Sequence, residues 1–211
     1  MTNNPIFCAI DTSDIDKAVA LVDQISPHIG GIKVGLEFFT SCGLLGLEKI
    51  KKLEIPIFID LKLYDIPNTV KQALNNILQF EPKYTTLHLS GGSEMLIECV
   101  NIKNKLNSMT KLIGVTMLTS FNDKLISEIG IEKSINENVK QLTQLAVNCG
   151  MDGIVCSPLE ISEVKNTHGS NLQIISPGIR GNENASNDQK RTLSAKEAID
   201  AGADILVVGR P

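Results

Sequence analysis

The chain has 211 residues, of which 42% are hydrophobic and 21% charged, with a formal net charge of −4. That balance suits one soluble globular domain with a substantial core. No basic run offers a nucleic-acid surface, although a small local anion site stays open.

No apolar stretch is long enough to cross a bilayer, and the polar start, residues 1–5, lacks the charged-then-apolar pattern of a secretory signal. The five cysteines (Cys8, Cys42, Cys99, Cys149, Cys156) are scattered, odd in number and without C-x-x-C spacing. They suggest reduced thiols in a cytoplasmic protein rather than a disulfide framework. Three histidines far apart give metal chemistry little support, so no metal ligand is assigned.

A first strand over residues 6–10 ends at Asp11 and is followed by an amphipathic helix over about 14–25, with Ile15, Ala18, Val19 and Val22 on one face. A second strand, 32–34, contains Lys33 between glycines, and a helix is expected over 44–52. The third strand carries Ile57, Phe58 and Ile59, then Asp60 and Lys62 two apart. In a strand that spacing puts both side chains on one face, with Cα atoms about 6.5–7 Å apart. Asp65 follows, Pro67 forces Ile66 into an extended conformation, and Asn68 and Thr69 are expected to cap a helix with apolar Val70, Ala73, Leu74, Ile77 and Leu78.

Strand four, 85–89, leads through Gly91-Gly92-Ser93 to a helix over 94–105. The Gly91-Gly92 pair suits a helix-entry turn more than an anion cradle. Strand five spans 112–117, with Thr119 just past its end. A long helical region interrupted near Gly130 stops at Gly150, a suitable C′ residue. Strand six, 153–156, a helix over 159–165 and strand seven, 172–175, lead to Arg180. A polar Asn- and Gly-rich stretch, 181–191, reads as a mobile loop. A helix over 195–201 and strand eight, 205–208, then lead to Gly209 and Arg210.

Eight short apolar strands alternating with helices predict a parallel (β/α)8 barrel formed by the whole chain, 1–211, as one domain. A doubly wound open sheet fits less well, because no G-x-G-x-x-G follows the first strand. The chain stops after strand eight without a final helix, so either a truncated C-terminus or another element covering that side of the barrel is expected.

In such a barrel Asp11, Lys33, Asp60, Lys62, His88, Thr119, Arg180 and Arg210 collect at the strand C-terminal ends, the catalytic face. Lys33, Asp60, Lys62 and Asp65 could form a paired, alternating network. The alternative is an ion-pair lattice that only stabilises the barrel top. Against it, buried pairs rarely add net stability, and perturbed charges gather at active sites. His88 is expected to be a hydrogen-bonded structural residue, and the Val70–Leu78 stripe to be core or dimer packing.

The run Asp60-Leu61-Lys62-Leu63-Tyr64-Asp65-Ile66-Pro67-Asn68-Thr69 resembles the signature of the orotidine 5′-phosphate decarboxylase family, bacterial type. The resemblance continues in Ala9-Ile10-Asp11, Ile32-Lys33-Val34-Gly35, Gly114-Val115-Thr116-Met117-Leu118-Thr119-Ser120, Ser176-Pro177-Gly178-Ile179-Arg180, Asp188-Gln189-Lys190-Arg191 and Val207-Val208-Gly209-Arg210-Pro211, nearly the whole chain in the family's order. D-x-K-x-x-D alone is shared by related sugar-phosphate barrels; I-P-N-T and S-P-G-I-R make the match specific. Gly181-Asn182 departs from the family's commonest continuation, and the family continues beyond Pro211 into a helix over the barrel wall.

The resemblance implies a TIM barrel that decarboxylates orotidine 5′-monophosphate to UMP and CO2 in de novo pyrimidine synthesis, without cofactor or metal. It implies Lys62 as proton donor, Asp60 beside the departing carboxylate, and Lys33 and Asp65 completing the charged network. Asp11 and Lys33 would bind the ribose hydroxyls. Thr119 would bind the pyrimidine edge, with a plain turn residue as the alternative. Gly209 and Arg210 would form the phosphate site, with Gln189 reaching it from the polar loop. Arg180 would bind nucleotide or orient that loop. Asp65, Ile66 and Thr69 would cross into the partner's site, making the unit a homodimer. Competing readings are an Mg²⁺-dependent sugar-phosphate decarboxylase or aldolase of the same superfamily, and a phosphosugar-binding barrel without catalysis.

Overall fold

The computed structural model describes residues 4–179 and 193–209. Eight parallel strands close into a barrel in strict sequence order: β1 (Ile6–Ala9), β2 (Gly31–Val34), β3 (Ile57–Leu63), β4 (Tyr84–His88), β5 (Lys111–Val115), β6 (Gly153–Val155), β7 (Gln173–Ser176) and β8 (Ile205–Val208), with β8 pairing back onto β1. The helices between them are α1 (Ile15–Ile25), α2 (Leu36–Lys51), α3 (Pro67–Leu78), α4 (Gly92–Lys105), α5 (Asp123–Glu128), α6 (Ile135–Asn148), α7 (Ile161–His168) and α8 (Ala195–Asp200). This is the expected (β/α)8 barrel, and among the described residues no helix follows β8. No described helix is long and apolar enough to cross a membrane.

Period-two alternation sorts the strand residues between two apolar volumes. Inside, Phe7, Phe58, Tyr84, Ile113, Ile175, Ile205 and Val207 pack into one cluster. Phe7 and Phe58 both meet Tyr84 edge-on, at 5.4 and 5.8 Å between ring centroids. Outside, Ile32, Val34, Ile57 and Ile59 pack under α1, α2 and α3, while Leu87, Leu112, Ile154, Ile174 and Leu206 pack under the later helices. In β3, therefore, Phe58 and Asp60 point inward while their odd-numbered neighbours face the helices. The cysteines Cys42, Cys99, Cys149 and Cys156 are buried, as expected of small core residues.

Local chemistry sets the helix ends. Asp14 caps α1, its Oδ1 accepting from the N–H groups of Asp16 (3.0 Å) and Lys17 (3.1 Å). Ser134 and Glu137 form a reciprocal capping box at α6, and Ser194 and Glu197 another at α8.

Two expectations need correction. Helix α2 begins at Leu36 rather than near residue 44, with Gly43 kinking it at φ 57°. Phe38 and Cys42 bury one face of the first half, and the Thr40 hydroxyl donates to the Leu36 carbonyl at 2.8 Å. Those contacts keep it helical up to the glycine. Asn68 and Thr69 do not cap α3: its N-cap is the extended Ile66, with Pro67 in the first turn and no side-chain cap bond. Proline lacks an N–H and has a helix-compatible φ, so it serves as a first-turn residue itself.

At the bottom of the barrel one device is used twice. Asp152, ahead of β6, accepts from the Leu112 N–H (2.8 Å) and from Lys103 Nζ (2.6 Å) on α4. Asp204, ahead of β8, accepts from the Ile174 N–H (2.7 Å) and from Lys165 Nζ (3.1 Å) on α7. Each carboxylate ties an incoming strand to the preceding strand and to a helix. Asp152→Ala leaves the half-buried Lys103 and a backbone N–H without that acceptor, at a cost of about 2 kcal/mol. For a chain of this size that lowers Tm by about 4–8 °C in calorimetry. Asp14→Ala at the exposed Lys17 pair, beyond loss of its helix cap, draws almost nothing from the ion pair itself.

Candidate active site

The C-terminal mouth of the barrel holds a cavity of about 250 Å³ whose wall is divided by chemistry. One side presents Asp11, Lys33, Asp60 and Lys62 from the ends of β1, β2 and β3. The rest of the wall, from β5 round to β8 and the turns after β5 and β7, is apolar: Val115, Met117, Val155, Ile175, Ile179 and Val207. Gly178, Thr119 and Gly209 complete the rim.

Asp60 is the centre of the charged side. It is 8% exposed, and Lys62 Nζ donates to both of its carboxylate oxygens at 2.9 Å. Lys33 Nζ stands 3.6 Å from Asp60 Oδ2 and 3.9 Å from Asp11 Oδ1. The Thr86 hydroxyl, on β4, donates to Asp60 Oδ1 at 3.0 Å. Burial pushes the Asp60 carboxyl up, but the Lys62 and Lys33 ammoniums and the hydrogen bonds from Lys62 and Thr86 outweigh it and hold it below the usual carboxylate range. Asp60 is therefore an anion at neutral pH despite its burial.

Close approach of the backbone keeps Lys33 in place. Gly35 follows β2, and a Cβ there would stand 3.0 Å from Lys33 Nζ. The glycine leaves the ammonium its room between Asp11 and Asp60.

The predicted site residues fall into three groups. Asp11, Lys33, Asp60, Lys62, Thr119 and Gly209 line the cavity together. Asp65, Ile66 and Thr69 do not: they are exposed beyond β3, and the Asp65 carboxylate accepts from the Ile66 N–H at 2.7 Å. Among the described residues of one chain the ion network is thus Asp11–Lys33–Asp60–Lys62, without Asp65. Arg180, Gln189 and Arg210 lie outside the described residues, as does the polar stretch 181–191.

His88 ends β4 next to this group. Its ring lies 5.7 Å from that of Tyr64, centroid to centroid, and burial, then the Lys62 charge, push its pKa down. It is neutral at pH 7. Its Nδ1 is buried with no hydrogen-bond partner among the described residues, so the expected structural hydrogen bond is not formed there with any of them.

Sequence reasoning missed Thr86 and the apolar wall. Parity was the available signal for Thr86, since it shares a face with Tyr84 and His88 two residues to either side. Among the described residues no group of three His, Cys, Asp or Glu side chains is arranged to hold a metal ion.

The sequence matches the model of the Orotidine 5′-phosphate decarboxylase / HUMPS family over residues 4–211. It is 45% identical over 208 residues to an orotidine 5′-phosphate decarboxylase of Wolbachia pipientis subsp. Culex pipiens, covering 99% of this chain and 91% of that protein. It is 46% identical to the protein of the same name from Ehrlichia canis, covering 99% of this chain and 90% of the relative. Among solved structures, orotidine 5′-phosphate decarboxylase from Lactobacillus acidophilus superposes with a TM-score of 0.84 at 31% identity, over 99% of this chain and 91% of that one. A barrel with this charged rim, matched from end to end in sequence and in fold, belongs to the orotidine 5′-phosphate decarboxylase / HUMPS family.

Proposed function

We propose that the protein decarboxylates orotidine 5′-monophosphate to UMP and CO2, without a cofactor, as a step of pyrimidine nucleotide synthesis. The observation that carries this reading is the Lys33–Asp60–Lys62 array facing an apolar wall across a cavity open at the barrel mouth. The names of the relatives point the same way.

The pyrimidine lies with the bond to its carboxylate at the charged wall. That bond breaks heterolytically, CO2 leaves, and the electron pair stays on the ring carbon. No extended π-system takes up the charge, so a fixed cation must meet it. Lys62, held by Asp60, supplies that cation and then donates its proton to the same carbon, yielding UMP. Solvent reprotonates the amine.

Asp60, ionised and buried, holds the Lys62 amine in place through both of its oxygens and stands against the substrate carboxylate. Asp11 and Lys33 bind the ribose hydroxyls. Thr119 meets the pyrimidine edge. Gly209, with Arg210 and Gln189, takes the phosphate end, and Arg180 binds the nucleotide or orients the loop that carries Gln189.

The donor chemistry supports a metal-free route over the Mg²⁺-dependent rival. Both Asp60 oxygens are occupied by Lys62, with Lys33 and Thr86 beside them, and such a cationic surround repels a divalent ion.

The working unit in this reading is a homodimer in which Asp65, Ile66 and Thr69 enter the neighbouring site. Ile66 is 67% exposed and Tyr64 62% exposed, and Leu36, first residue of α2 at the end of the adjacent strand, is 58% exposed. Large apolar side chains left in water beside a polar site suit burial against a second copy.

Lys62→Ala is expected to lower kcat for orotidine 5′-monophosphate by at least about 10³-fold while UMP still binds. Near-normal turnover in that variant would refute the mechanism. Wild-type activity should survive EDTA; loss restored by Mg²⁺ would favour the rival. Sharing of sites is tested by mixing two inactive variants, Lys62→Ala and Asp65→Ala. A mixed dimer holds one site with both native residues, so activity should return to about a quarter of wild type after subunit exchange. Independent monomers would give none.

A further inference from the structure

The pairing of β3 with β4 breaks at the active site. Ile59 pairs with Thr85 and Leu63 with Leu87, so Asp60, Leu61 and Lys62 together face Thr86 alone. The surplus length is absorbed at Lys62, which has a φ of 50°. A residue with a long side chain adopts that left-handed backbone at a cost, and it persists only where neighbours hold it.

Thr86 is the neighbour placed to do so. It is fully buried. Its Oγ1 accepts from the Lys62 backbone N–H at 2.9 Å and donates to Asp60 Oδ1 at 3.0 Å. The same Asp60 oxygen accepts from Lys62 Nζ at 2.9 Å. Lys62 N–H, the Thr86 hydroxyl, the Asp60 carboxylate and the Lys62 ammonium thus form a closed ring. A hydroxyl can both accept and donate through one atom, which a methyl group of the same size cannot.

We infer that Thr86 is a positioning residue, which locks the left-handed turn at Lys62 to the Asp60 carboxylate and so delivers the ammonium to one place in the cavity. The inference rests on the proposed role of Lys62 as proton donor. Thr86 touches no reacting atom; it acts by removing the freedom of the two residues that do. Loss of the ring lets the turn relax, and misplacement by about 1 Å is enough to cost up to about 10²-fold in rate.

The test compares Thr86→Val, Thr86→Ser and Lys62→Ala in steady-state kinetics and UMP binding. Thr86→Val is expected to lower kcat by about ten- to hundredfold, with KM and UMP affinity within about threefold of wild type. The acid limb of its kcat profile should move to higher pH, because the carboxyl of Asp60 loses a hydrogen bond that stabilises its ionised form. Thr86→Ser, which keeps the hydroxyl, should restore most of the rate.

A Thr86→Val kcat within about fivefold of wild type, or a Thr86→Ser variant as impaired as Thr86→Val, overturns the inference. If Thr86→Val does not fold, Thr86→Cys takes its place: a slow variant that binds UMP supports the assignment, and a wild-type rate overturns it. Lys62→Ala separates the two levels. Turnover surviving in Lys62→Ala sinks the proton-donor reading itself, whereas collapse there with normal Thr86→Val sinks the positioning role alone.

Discussion

A carboxylate taken out of water must be compensated, and the top of this barrel is arranged around that requirement. Asp60 lies within reach of two ammoniums and a hydroxyl, drawn from β2, β3 and β4. A buried ion pair of this kind contributes little to stability when compared with an apolar core of the same shape. Its value lies in what it prevents. Lys62 cannot swing to solvent without taking from Asp60 its nearer cation, and Asp60 cannot turn away without breaking its contacts with Lys62, Lys33 and Thr86. In the proposed reaction this is preorganisation: the charge is in position before any substrate arrives.

The rest of the molecule makes that arrangement possible. Aromatic packing of Phe7, Phe58 and Tyr84 fills the barrel interior, so the inward-facing positions nearer the mouth can be polar without opening a channel. Lys83 adds to the plug, its Nζ lying 5.7 Å from the Phe7 ring centroid and 5.6 Å from that of Tyr84. Below, the carboxylates of Asp152 and Asp204 tie strands to helices. Stability is concentrated at the bottom and chemistry at the top, a division common to parallel barrels.

The cavity is asymmetric for a physical reason as well. Strands β1 to β3 end in charged residues, whereas β5 to β8 bring Val115, Val155, Ile175 and Val207 to the rest of the wall. An apolar wall lowers the local dielectric, which strengthens each charge facing it. A flat aromatic base suits that wall, and a departing CO2, being uncharged, loses little there.

The sequence by itself determined the barrel, because eight short apolar runs alternating with amphipathic ones leave few other ways to bury both faces of a sheet. It also determined the charged group, since Asp60 and Lys62 share a parity with Phe58, and parity along a strand is a local property. Tertiary structure alone decided the rest. The left-handed turn at Lys62 comes from a register mismatch with a strand more than twenty residues away, and Thr86 gained its place only when that strand came alongside. The early start of α2 depended on burial of Phe38, which no propensity encodes. Contacts between distant segments leave no periodic trace in either segment, so the ring that holds Lys62 was present in the sequence only as its separate parts.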